Sequence, residues 1–188
     1  ISWSLNANAS YNVNQMLKVS SLDGAGTPSE DEMVTAINVL GAHAGAYYGY
    51  RTDADGHNID QTGDGVINEY DKQLLGNPVP EYFGGFGTSL RFSDFSLDIS
   101  CSYAGGFDKL DLSSLYANEK APYALSDKYV VAGDYFSLSK IAASYRFNFK
   151  KKGFIKGITA RISGMNLFIS NNMYLAPRSV VAGVSIHI

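Results

Sequence analysis

The sequence predicts an all-β chain, with about seven antiparallel strands forming part of a transmembrane β-barrel and one short helix in a connection. Three observations carry this. Apolar and polar residues alternate without fault over residues 1–14. Soluble strands average about 5–6 residues, whereas a tilted bilayer-spanning strand needs about 9–11. The face opposite the apolar one holds Ser, Asn, Gly and occasional Arg, where a soluble sheet would carry Lys, Glu and Thr. Charged residues make up 18% of the 188 and aromatics 13%, against about 25% charged in an ordinary soluble domain.

The strands follow in order. Ile1, Trp3, Leu5, Ala7, Ala9, Tyr11 and Val13 oppose Ser2, Ser4, Asn6, Asn8, Ser10, Asn12 and Asn14. Residues 43–50 and 82–92 are Gly- and Tyr-rich strand candidates. Residues 95–103 set Phe95, Leu97, Ile99, Cys101 and Tyr103 against Ser96, Asp98, Ser100 and Ser102. The segments 141–149, 158–164 and 180–188 alternate in the same way. Thr27-Pro28-Ser29-Glu30 is a capping box with Pro at the first helical position, so a helix is expected near 28–40, with Met33, Ile37 and Leu40 on one face.

Ser93-Asp94 predicts a tight turn, and Lys150-Lys151-Lys152-Gly153 another short one. Residues 51–81 and 106–133 are long connections. Long loops on one side and short turns on the other suit an outer-membrane barrel. Counting back from Ile188 at the periplasmic side puts 51–81 and 106–133 outside and 15–42, helix included, inside.

Several classes fall away. No run of 18 apolar residues exists for a membrane-crossing helix. A net charge of -3 gives no basic footprint for nucleic acid. The chain opens inside a predicted strand, and no signal peptide is visible. With one cysteine, Cys101, on the apolar face, neither a disulfide framework nor a Cys-based zinc site is expected. His43, His57 and His187 lack ligand spacing, and Gly84-Gly85-Phe86-Gly87 lacks the Lys and helix of a phosphate loop. No catalytic constellation is found, so an enzyme is not expected.

One motif carries chemistry. Residues 60–71 follow the spacing of an EF-hand-type calcium loop. Asp60, Thr62 and Asp64 take positions 1, 3 and 5, and Gly65 makes the turn at 6. The Val66 carbonyl serves position 7, Asn68 position 9 and Asp71 position 12, with Ile67 directed into the core. Calcium requires six to eight hard oxygens, and alternate-residue spacing wraps them round one ion. Thr62 and Asp71 depart from the usual Asp/Asn and Glu, which lowers the expected affinity.

A wider resemblance runs along the chain. Asp60 to Asn68, then Leu75-Gly76-Asn77-Pro78-Val79-Pro80-Glu81-Tyr82 and Gly84-Gly85-Phe86, resemble a stretch of SusC/RagA-like TonB-dependent receptors. Ala46-Tyr47-Tyr48-Gly49-Tyr50, Leu90-Arg91-Phe92, Tyr135-Phe136-Ser137-Leu138-Ser139-Lys140, Ser163-Gly164-Met165-Asn166-Leu167-Phe168 and Pro177-Arg178 are similar to further family motifs, in the family's order. The resemblance implies that residues 1–188 are the C-terminal segment of a barrel of about 22 strands, completed by the same or another chain. It further implies an outer-membrane transporter of a Gram-negative cell, importing glycans or oligopeptides with TonB-supplied energy under a SusD-like lipoprotein lid. TonB would act through the N-terminal part, and the calcium loop would stiffen 51–81 where the lid docks.

Two other readings stay open. One is a small closed outer-membrane barrel of structural or adhesion role. The other is a soluble calcium-binding β-module, though Asp53-Ala54-Asp55-Gly56 lacks the continuation of a second loop. Tyr116, Tyr123 and Tyr129 are candidate stacking platforms in 106–133.

Overall fold

The computed structural model describes residues 1–17, 36–37, 41–117, 125–149, 153–171 and 177–188. Its strands are β1 (Ser2–Tyr11), β2 (Ala36–Ile37), β3 (Ala46–Gly49), β4 (Gln73–Gly76), β5 (Tyr82–Phe92), β6 (Phe95–Gly105), β7 (Asp108–Leu110), β8 (Val130–Ala132), β9 (Tyr135–Asn148), β10 (Gly157–Ile169) and β11 (Ser179–His187), with one α-helix, α1 (Leu112–Ala117). They divide into two compact units. One comprises Ile1–Ser10, Tyr82–Ala104 and Tyr135–Ile188, the other Tyr11–Glu81 and Gly105–Asp134.

The first unit is a six-stranded sheet in the order β1-β5-β6-β9-β10-β11. It is one layer with two free edges. Its faces sort as the alternation predicts. Phe95 lies opposite Tyr145, Leu97 opposite Ala143 and Ile99 opposite Ile141 on the apolar face. On the other face the Ser96 and Ser144 hydroxyls meet at 2.7 Å and those of Ser102 and Ser139 at 2.9 Å. The apolar face is bare: Trp3, Leu5, Phe147, Ile162, Val184 and Ile186 are all exposed. The Trp3 indole N–H donates to Thr88 Oγ1 at 2.8 Å, which leaves its ring apolar toward the surroundings.

β9 begins six residues before the predicted 141, because the alternation changes phase there. Ser100 faces Lys140, but the next residue, Cys101, faces Leu138. Ser139 is thus an extra residue, a β-bulge that moves the apolar set from odd to even numbers. Leu138 and Phe136 join Ile141 and Ala143 on the same face, with Phe86 and Phe136 stacked at 6.1 Å. β10 has a matching irregularity between Met165 and Phe168. There Asn166 adopts φ 54 and donates its Nδ2 to the Pro177 carbonyl at 3.1 Å, two residues before β11.

Among the described residues the wall sheet thus has six strands where about seven are expected. Residues 43–50 do not join the sheet: β3 lies in the second unit, paired with β2 and β4. The chain from the end of β1 to the start of β5 is one excursion. Residues 15–42 consequently belong to the same connection as 51–81, and their predicted periplasmic placement is corrected. The turn at 93–94 and the link between β9 and β10 lie at the opposite sheet end. There Asp94 ties in, its carbonyl accepting from Arg146 N at 2.9 Å and its Oδ1 from Asn148 Nδ2 at 2.6 Å.

The helix near 28–40 falls largely outside the described residues. Within it, Ala36–Ile37 is extended and pairs with Tyr47 and Ala46. Among the described residues the one α-helix is α1. Asp111 caps it, with Oδ1 accepting from Ser114 N at 3.1 Å.

The second unit has its own small core of Leu115, Leu125 and Tyr129, flanked by Tyr47, Leu75, Leu110 and Val130. Tyr129 is therefore a core residue and no stacking platform; Tyr123 lies outside the described residues. Tyr50 N donates to the Leu125 carbonyl at 2.9 Å, an approach that Gly49 permits. A Cβ on Gly49 would collide with the Leu125 carbonyl and stand 3.1 Å from Leu125 Cβ. Gly49→Ala is expected to destabilise this unit by about 1–3 kcal/mol, read as faster cleavage of 41–81 by protease. Gly183→Ala, where nothing lies within 4 Å of the added atom, is the neutral comparison.

Candidate functional site

Residues 60–71 fold as a nest of side-chain-to-backbone hydrogen bonds ending in a 3₁₀ turn, Glu69–Asp71. Gly63 and Gly65 take φ 72 and 84, the left-handed region that a tight loop requires and that glycine enters without strain. Asp60 spans both: its Oδ1 accepts from Gly63 N at 2.6 Å and its Oδ2 from Gly65 N at 2.7 Å. Asp64 Oδ1 accepts from Val66 N at 2.8 Å. Asn68 caps the 3₁₀ turn through Tyr70 N at 2.8 Å and donates to the Val66 carbonyl at 3.2 Å.

Asp71 has a role that its spacing did not reveal. It is fully buried and holds the two ends of the loop together. Its Oδ1 accepts from Gln61 N at 2.9 Å, Thr62 N at 3.0 Å and Thr62 Oγ1 at 3.1 Å. Its Oδ2 accepts from Asn68 N at 2.8 Å. The Asn68, Thr62 and Gln61 amides and the Thr62 hydroxyl together hold its pKa below the usual carboxylate value, Asn68 contributing most, against the opposing effect of burial.

The six predicted ligands thus form two linked groups. Asp60, Thr62 and Asp71 meet at the Thr62 hydroxyl, which lies 3.1 Å from an oxygen of each carboxylate. Asp64, Val66 and Asn68 form the other. Asp71 Oδ2 has one donor, but among the described residues the carboxylates of Asp60, Asp64 and Asp71 do not gather within 4.8 Å of one another. Ile67 does not enter a core: it is exposed, as are Val66 and Tyr70. The loop is closed by backbone hydrogen bonds to carboxylates, which need no apolar anchor.

Asp53, Asp55 and His57 also come together, within 4.8 Å. Alternate spacing over five residues was the signal in the sequence. All three are exposed, and Asp53 Oδ1 is occupied by Asp55 N and His57 N at 3.0 and 2.9 Å, so the group is an Asx-type turn. His43 Nδ1 lies 3.2 Å from Asn14 Oδ1, and His187 Nε2 lies 2.8 Å from Thr159 Oγ1 on the polar face of the sheet. No helix among the described residues is long and apolar enough to cross a membrane.

No protein-family model matches the chain. It is similar to TonB-dependent receptor P3 of Formosa agariphila, with 23% identity over 218 aligned positions, 88% of this chain and 22% of that protein. Three solved structures share the fold. They are the RagAB peptide transporter (TM-score 0.67, 13% identity, 98% of this chain and 27% of that one) and the RagAB peptide importer in its open-open state (0.70, 12%, 98% and 26%) and closed-closed state (0.70, 14%, 98% and 27%). The resemblance to SusC/RagA-like TonB-dependent receptors stands, and the open six-stranded sheet is β-barrel wall in fold. The chain spans about a quarter of the length of these relatives.

Because the Asp71 pKa is depressed in the folded loop, the stability it contributes is present above the unfolded value of about 3.9 and is lost as pH falls through the folded value. Protease cleavage within 60–71 is expected to stay slow from pH 7 to 5 and to accelerate only below about 4. Asp71→Asn, which turns an N–H₂ toward backbone donors, is expected to raise cleavage at pH 7 roughly tenfold.

Proposed function

We propose that this chain is the C-terminal wall and outer-loop segment of a TonB-dependent outer-membrane importer of oligopeptides, working beneath a SusD-like lipoprotein lid. The observation that carries the reading is the single-layer sheet with one apolar and one polar face, found in a chain similar to a TonB-dependent receptor over 88% of its length. In this reading the apolar face meets lipid, the polar face meets a water-filled lumen, and the free edges of β1 and β11 pair with the rest of the barrel. Oligopeptides are favoured over glycans because the solved relatives are a peptide transporter and importer.

Uptake is tested in cells expressing the complete receptor. Accumulation of a labelled oligopeptide that disappears when TonB is deleted supports the reading; accumulation unaffected by TonB overturns it. The two faces are tested separately. Ile99→Arg, on the apolar face, is expected to destabilise the membrane-inserted barrel by about 2–4 kcal/mol if it lies near the midplane. Ser100→Arg, one residue along on the polar face, is expected to change stability little.

For the loop, the proposal is that Asp60, Thr62, Asp64, the Val66 carbonyl, Asn68 and Asp71 hold Ca2+, which supplies positive charge that fixes 51–81 for contact with the lid. Calorimetric titration with calcium is expected to give binding heat that Asp64→Ala weakens. Equal heats for both proteins, or lid affinity indifferent to EDTA, would remove the metal from the account.

A further inference from the structure

The net charge of -3 hides a strong segregation. Nine Lys and Arg stand against two Asp in the sheet unit, a net +7, while six stand against sixteen Asp and Glu in the loop unit, a net -10. Within the strands themselves, Arg91, Lys140, Arg146 and Arg161 stand on the polar face against Asp98. Arg91 on β5, Lys140 on β9 and Arg161 on β10 line one half-open cavity of about 310 Å³, with Ser96 and Asp98 of β6 in its floor.

The register sets their spacing: Lys140 stands four residues along β9 from Ser144, the partner of Arg161. Arg161 lies opposite Ser144 on one side and Gly183 on the other, so small neighbours leave its guanidinium room. Lys140 lies opposite Ser100 and Met165. Among the described residues neither they nor Arg91 form an ion pair. Asp98, the one acid in the cavity, is engaged by the Ser89 hydroxyl. Two guanidinium groups and an ammonium around a cavity also lined by Ser96, Ser144 and Ser163 are donors of the kind that bind carboxylates.

We propose that Arg91, Lys140 and Arg161 form a carboxylate-binding dish on the luminal face, which takes acidic groups of an oligopeptide in transit. This rests on the reading of the chain as part of a peptide importer. The segregated charge favours the sheet over the loop unit for any anionic group.

The test uses the complete receptor and two peptides of equal length, one with several Glu and one with Gln in their place. At low salt the native receptor is expected to bind the Glu peptide about tenfold more tightly, a preference that fades as salt screens it. The combined variant Arg91→Gln, Lys140→Gln, Arg161→Gln is expected to reduce the preference to within about twofold. Arg146→Gln, on the same face but outside the dish, is expected to keep it, and Arg161→Lys controls for folding of the barrel.

Equal binding of the two peptides by the native receptor overturns the dish while leaving the importer reading intact. A preference that survives the triple variant overturns it too. So does a triple variant that exposes some other segment of the receptor to protease without altering peptide preference, since the cations then serve the receptor's own acids. A receptor that binds a glycan and neither peptide overturns both readings.

Discussion

A lone β-sheet with one apolar face cannot be satisfied by water, and most of this structure depends on that constraint. Among the described residues, the buried apolar residues of the sheet unit are Ala104 and Ala142, too few to form a core. Soluble domains cover an apolar face with a second layer; here none is present among the described residues. Lipid is the medium that suits such a face. Lipid in turn leaves no partner for backbone groups at an open edge, so barrel closure follows from the same constraint.

Placing large side chains on one face over many strands requires the phase of each strand to be held across the sheet. The bulge at Ser139 and the irregularity at 166–167 do this together. They are adjacent in the register, where β9 and β10 change phase at the same level. Asn166, in a left-handed conformation, also reaches the Pro177 carbonyl at the entry to β11. Two separate sequence motifs, 163–168 and Pro177-Arg178, thus serve one junction.

The loop unit solves a different problem. A long excursion between strands gains order only when its backbone groups find partners. Asp60, Asp71 and Asp111 supply carboxylates to amides, and Leu115, Leu125 and Tyr129 supply a small apolar centre. The chain is acidic where it makes loops and basic where it makes wall, a division that a net charge near zero conceals.

The sequence by itself determined the barrel-wall fold and the two faces, because alternation has a period of two and is read from adjacent residues alone. It also determined the tight turn at 93–94 and the twelve-residue loop. It could not determine that 46–49 leaves the sheet, since a strand's partner is decided by contacts distant in sequence, such as Tyr50 with Leu125. Nor could it show that β9 extends back to Tyr135, because a bulge inverts the alternation that marks a strand. Asp71 was legible as a carboxylate at the twelfth position. Only the tertiary structure made it the staple of the loop, by bringing the amides of residues 61, 62 and 68 to its two oxygens. The placing of Arg91, Lys140 and Arg161 round one cavity is of the same kind: three cations from three strands come to line it through strand pairing, which no local pattern encodes.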